Sequence, residues 1–164
     1  MIPDIKLKPK IVVDTSFWIN IVSLGLDRYL IKYFDVYFVS KVEKEILDDN
    51  EFKMYDSIDM EQYSKSKDMK SIIIKDPRNI SKKLIDNLQH NSGELYSTAL
   101  AIEEEMILAT DDKGAIEFCS RINIPILTTI DYILFLYDLN EQTLNDVNKY
   151  LYLLKGKIKS KYID

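Results

Sequence analysis

Residues 10–18 read KIVVDTSFW and residues 105–115 read EMILATDDKGA, and these two stretches decide the fold. Each is a short apolar run that stops at acid: Ile11 to Val13 at Asp14, and Met106 to Ala109 at the adjacent pair Asp111 and Asp112. A brief apolar run without alternation predicts a strand covered on both faces, and such strands belong to parallel sheets flanked by helices. In an open sheet of that kind ligands bind beyond the carboxyl ends of the strands, where these acids fall. Carboxylates gathered there repel one another unless a cation lies between them, which points to a divalent-metal site.

Working outward, strands alternate with helices. Thr15 or Ser16 is placed to cap a helix after the first strand, and Phe17, Ile19, Val22, Leu26, Leu30 and Ile31 supply one or two helical segments broken at Gly25. Val36 to Val39 predicts the second strand, with Ser40 capping a helix through Val42, Ile46 and Leu47. Residues 48–70 are polar and read as a helical surface insert. Ser71 to Lys75 predicts a strand ended by Asp76-Pro77, and Ile80, Leu84, Ile85 and Leu88 stripe a helix stopping near His90. Asn91 with Glu94 three residues on predicts a helix start, and Leu95, Ala99 and Ile102 give that helix its buried face. Helices are then expected over Lys113 to Arg121, Tyr132 to Leu139 and the stripe Leu144, Val147, Leu151, Leu154, with Pro125 to Leu127 a strand before the second. Residues 155–164 form a basic tail. The alternation predicts a three-layer α/β/α sandwich with a central, mostly parallel sheet, in a single domain spanning residues 1–164.

Composition narrows the function. With 46% apolar residues in 164 the chain fills one core, and its net charge of −5 gives no general attraction for polyanions, which must be held locally. The single cysteine, Cys119, and single histidine, His90, exclude a disulfide framework and a thiolate or His-rich zinc site, and fit a reducing cytoplasm. The apolar run near the N-terminus is too short for an export signal and no stretch reaches the roughly 18 apolar residues of a membrane span, so no membrane association is expected. Four scattered glycines provide no G-x-G-x-x-G dinucleotide fingerprint. Ser16 stands where an aspartyl phosphotransferase would want its second acid, and Trp18 occupies the last position of a D-x-S-x-S metal motif.

Five acids are candidates for the site. Asp14 sits at the ligand-binding edge, where it could also cap the following helix. Glu45, one turn past Val42, is placed to point over the sheet edge while Glu43 faces water; a solvated helix face is the plain alternative. Glu94 could be half of a capping box and gains weight only from its company. Asp111 and Asp112 follow a strand together, and turn or cap duty accounts for one of them but hardly both.

DTSFW after the first strand, Val42-x-x-Glu45 after the second, SGE opening an alanine-bearing helix, and ATDD after a later strand resemble the PIN domain. The resemblance covers about Lys10 to Thr129. Residues 92–129, SGELYSTALAIEEEMILATDDKGAIEFCSRINIPILTT, are especially similar to a prokaryotic branch of that family, whose closing segment KGKIKSKYID also resembles. The resemblance implies a metal-dependent ribonuclease, often the VapC-like toxin of a type II toxin–antitoxin pair. It assigns the family's acids to Asp14, Glu45, Glu94 and Asp112 within Thr110-x-Asp112, with Asp111 substituting for or assisting Asp112. It gives Thr15 or Ser16 the role of the small hydroxyl that helps hold water or metal. The sequence departs from the family in the long polar spacer between Glu45 and Glu94 and in its acidity. The alternative implied is a PIN-like scaffold that no longer cuts and serves as a binding or assembly module.

The residue types fit that chemistry in their own right. Mg²⁺ or Mn²⁺ takes oxygen ligands, keeps several waters, and can bind through one or two carboxylates while others act at a distance. RNA contacts are expected from Lys65, Lys67 and Lys70 or from the lysines of the tail, although solvated charge is the simpler account of both. Trp18 and Tyr132 lie in apolar stretches and read as core or dimer-interface residues. The Leu144 to Leu154 stripe and the run YILFLY (132–137) would serve a homodimer or the core equally well.

Overall fold

The computed structural model describes residues 7–48, 72–88 and 92–155. Five parallel strands form one sheet in the order β3-β2-β1-β4-β5. They are β1 (Lys10–Val13), β2 (Asp35–Phe38), β3 (Ile72–Ile74), β4 (Ile107–Ala109) and β5 (Ile126–Leu127). Eight described helices flank it in a three-layer α/β/α sandwich: α1 (Thr15–Ser23), α2 (Asp27–Tyr33), α3 (Ser40–Asp48), α4 (Lys82–Asn87), α5 (Gly93–Glu104), α6 (Lys113–Arg121), α7 (Thr129–Asp138) and α8 (Leu144–Leu154). No helix among the described residues is long and apolar enough to cross a membrane.

β1 is the central strand, and Ile11, Val12 and Val13 are completely buried because helices cover both faces. β1 pairs with β2 through Ile11–Val36 and with β4 through Val13–Ala109. From β1 the chain moves to one side for β2 and β3 and to the other for β4 and β5, so the strand order diverges at β1, the arrangement that opens a ligand crevice beyond the strand ends.

The core is aromatic beside β1. Trp18 meets Phe38 edge-on at 5.2 Å, and Phe17 lies 5.6 Å from Tyr132. Trp18 and Tyr132 are thus core residues, each ring contributing about 1.5–3 kcal/mol through burial. Tyr132 also donates its hydroxyl to the Leu26 carbonyl at 2.6 Å, satisfying a polar atom that would otherwise be stranded in the core.

Several boundaries differ from the sequence expectation for local reasons. Of the two readings offered for the start of α1, the cap is Asp14 itself and not Thr15 or Ser16. Ser92, rather than Asn91, caps α5 by accepting from the Leu95 N–H at 3.1 Å. α7 begins at Thr129, not Tyr132, because Thr128 and Asp131 form a complete capping box. Gly25 breaks α1 from α2 at φ +72°, a left-handed conformation suited to glycine. In the last stripe Val147 and Leu154 are buried while Leu144 is exposed. The polar insert, apart from Asp48 at the end of α3, and the basic tail beyond Lys155 lie outside the described residues, as do Lys65, Lys67, Lys70, His90 and Asn91.

Candidate active site

Asp14 closes β1, and its backbone N–H donates to the Ala109 carbonyl at 2.9 Å, which fixes its carboxylate over the seam between β1 and β4. The residue is 4% exposed. It accepts from the Thr15 N–H at 2.8 Å, from Thr110 Oγ1 at 2.8 Å and from Ser16 Oγ at 3.4 Å. Burial still pushes its carboxyl up to about 6, against the lowering effect of the Thr110 and Thr15 bonds and with a further push from the charges of Asp112 and Glu45.

Glu94 and Asp112 form the second part. Asp112 caps α6 by accepting from the Ala115 N–H at 3.0 Å. Glu94, in the first turn of α5, is pushed up to about 8 by burial first, then by a hydrogen bond with Asp112 and by the charges of Asp112 and Asp14. Both carboxylates reach the space over Gly114, where an added Cβ would stand 3.2 Å from Asp112 Oδ2 and 3.6 Å from Glu94 Oε1. Thr110 links them to Asp14, since its hydroxyl donates to Asp14 and accepts from the Asp112 N–H at 3.0 Å.

Glu45 reaches the same rim from α3. Its carboxylate accepts from Thr15 Oγ1 and from the Gly93 N–H, the latter at 3.2 Å, so it lies on the positive end of α5. This approach requires glycine at 93. A Cβ there would stand 2.8 Å from Val42 Cγ2 and 3.0 and 3.1 Å from the two Glu45 oxygens.

Asp111 does something else. Its carboxylate accepts from Asn20 Nδ2 at 2.7 Å, from the Thr129 N–H at 2.8 Å and from Thr129 Oγ1, which braces α1 against the start of α7. Of the adjacent pair, Asp112 therefore belongs with Asp14 and Glu94, while Asp111 is committed to the scaffold. Ser16 supports both sides, accepting from the Asp111 N–H at 3.2 Å. Sequence reasoning missed Asn20, Thr129 and the spatial role of Gly93. The available signals were one amide inside the apolar run FWINIV (17–22) and a Thr pair directly after the last strand.

The donor set is entirely oxygen, which suits Mg²⁺ or Mn²⁺. Burial and the neighbouring carboxylates raise both Asp14 and Glu94, a penalty on their charged forms that a divalent cation between them would offset. No group of three or more acid, His or Cys side chains among the described residues could hold an ion as it stands. Asp14 is engaged by two hydroxyls and a backbone amide. Because Mg²⁺ retains most of its waters, one or two of these carboxylates suffice as direct ligands, and the donor chemistry fits. No protein-family model matches the chain, and comparison with curated proteins finds no match.

Proposed function

We propose that the chain is a PIN-type nuclease that hydrolyses RNA phosphodiester bonds with Mg²⁺ or Mn²⁺ in the cytoplasm. One juxtaposition carries this reading: Asp14 and Asp112, which follow adjacent central strands and are linked through Thr110, with Glu94 of α5 converging on Asp112 over Gly114. None of Asp14, Glu45, Glu94 and Asp112 is ion-paired to Lys or Arg among the described residues, so the cluster lacks the internal counter-charge a purely structural acid group would have.

A bound divalent ion would polarise the phosphate and lower the pKa of a water near it. Asp14 and Asp112 would hold it, each already oriented by Thr110. Glu94, pushed up to about 8, would join them on losing its proton. Glu45 braces α3 against α1 and α5 and keeps Thr15 turned toward the rim. Asp111 positions the strand end that carries Asp112.

The decisive experiment incubates a labelled RNA set with Mg²⁺ or Mn²⁺ and compares the native chain with Asp14→Asn. Cleavage should be lost in the variant; equal cleavage by both defeats the assignment. A non-cutting PIN-like binding module is the second reading, favoured by the lack of a ready three-acid ligand group among the described residues. Calorimetry with Mn²⁺ separates the two, because only a nuclease site loses metal affinity when Asp14 and Asp112 become alanine. As the toxin of a type II pair the chain would meet an antitoxin and a second copy of itself, for which Leu134, Tyr137, Leu144, Tyr152 and Leu153 offer exposed apolar contact.

A further inference from the structure

A cleft of about 450 Å³ is lined by Ser40, Lys41 and Lys44 of α3, Asp76 and Pro77 after β3, and Tyr96 of α5. It is built on two of the elements that carry the acids. Lys41 stands one helical turn before Glu45, Tyr96 stands one turn past Gly93, and the Gly93 N–H is bonded to Glu45.

The charges of the cleft run against those of the chain. Two lysines face one aspartate here, in a protein of net charge −5. Asp76 is already committed, accepting from the Ser40 N–H at 2.8 Å and from the Ser40 hydroxyl, so it closes the amino end of α3. An anion is thereby left to the two ammonium groups, and neither Lys41 nor Lys44 is ion-paired among the described residues. Tyr96 adds a half-buried aromatic wall. Cations for a phosphate and a ring for a base are the two components of sequence-tolerant binding to single strands. An acidic peptide would use the lysines and leave the ring without a task.

We propose that this cleft seats one nucleotide of a single-stranded RNA, its phosphate on Lys41 and Lys44 and its base against Tyr96, on the two helices that also carry Glu45 and Glu94. The proposal rests on the nuclease reading for the choice of RNA, yet the binding is measurable without cleavage. The test is fluorescence anisotropy of a labelled single-stranded RNA of about twelve nucleotides, with EDTA present, on the full chain and its variants. Lys41→Ala with Lys44→Ala should weaken binding about tenfold or more and reduce the salt slope by about 0.7, the value for one neutralised phosphate on a single strand. Tyr96→Ala should weaken it about fivefold or more with the slope unchanged, and Tyr96→Phe should bind within about twofold of the native chain. Melting curves confirm folding, and Tyr96→Leu replaces the alanine variant if that one melts. Native affinity in the folded lysine and Tyr96 variants overturns the proposal, as does equal competition by polyglutamate of the same charge. A chain that binds through the cleft without cutting in Mg²⁺ or Mn²⁺ upholds the cleft and removes the nuclease reading; one that cuts while the variants bind normally does the reverse.

Discussion

Without divalent ions, the protein should lose stability as pH rises, and Asp14 is the largest identifiable reason. Its carboxyl is pushed up to about 6, mainly by burial, from an ordinary value near 3.8. The folded state therefore holds that proton more tightly than the unfolded chain does. The resulting stabilisation is complete below about pH 4 and is lost as pH climbs through 6. Two units at about 1.4 kcal/mol each give roughly 3 kcal/mol. Glu94, pushed up to about 8, acts with the same sign and carries the loss on to about pH 8. It is only half-buried, and solvent screening reduces its share to on the order of 1 kcal/mol. The combined loss of about 4 kcal/mol corresponds to roughly 10 °C in Tm for a domain of this size. Urea denaturation in EDTA at about pH 4, 5.5, 7 and 8.5, on the native chain and on Asp14→Asn, isolates the effect. The asparagine variant has no proton to lose at that position, so its stability should fall less between about pH 4 and 7. Parallel curves for the two proteins across that range would refute the reasoning.

Mn²⁺ should raise Tm more at about pH 8 than at pH 5, because it binds the ionised form of the acids; a shift independent of pH in differential scanning fluorimetry would exclude them as ligands. Gly93→Ala should destabilise by about 1–3 kcal/mol through contact with Val42 and Glu45, despite alanine's helix preference of about 1 kcal/mol; a variant as stable as the native chain would contradict the close approach described. Asp111→Ala should cost about 1–3 kcal/mol by stranding the Asn20 amide and Thr129 N–H, with cleavage reduced far less than by Asp112→Ala; thermal melts paired with RNA assays would show the opposite ranking if the two acids had been confused. Tyr132→Phe should cost about 1 kcal/mol in urea denaturation, since the Leu26 carbonyl loses its 2.6 Å partner.

The strands were legible because each is a short apolar run, and in the three central strands β2, β1 and β4 it is largely buried, a pattern that helices covering both sheet faces impose on sequence. Boundaries were less so. The start of α7 depended on Thr128 reaching Asp131, a polar signal that the long apolar stretch beginning at Tyr132 overshadowed. Asp14 could be read from its place at a strand end, and Glu94 from its company. The division of labour between Asp111 and Asp112 could not. Neighbouring residues after a strand turn to different surroundings, and what separates them is the far-off pair Asn20 and Thr129. Glu45 depended likewise on an absence, the missing Cβ at Gly93, which has meaning only once α3 and α5 are packed. The lysine cleft draws on three separate chain segments and had no sequence signature at all.

The divergence of strand order at β1 has an architectural consequence. Where successive connections depart toward opposite borders, a crevice beyond the strand ends is a by-product of the route the backbone takes, owing nothing to what lines it. The apolar layers beneath would persist if Asp14, Glu94 and Asp112 were all exchanged for neutral residues. Chemistry and frame are in that sense separable, and this scaffold could be refitted for a different guest by altering a handful of rim positions.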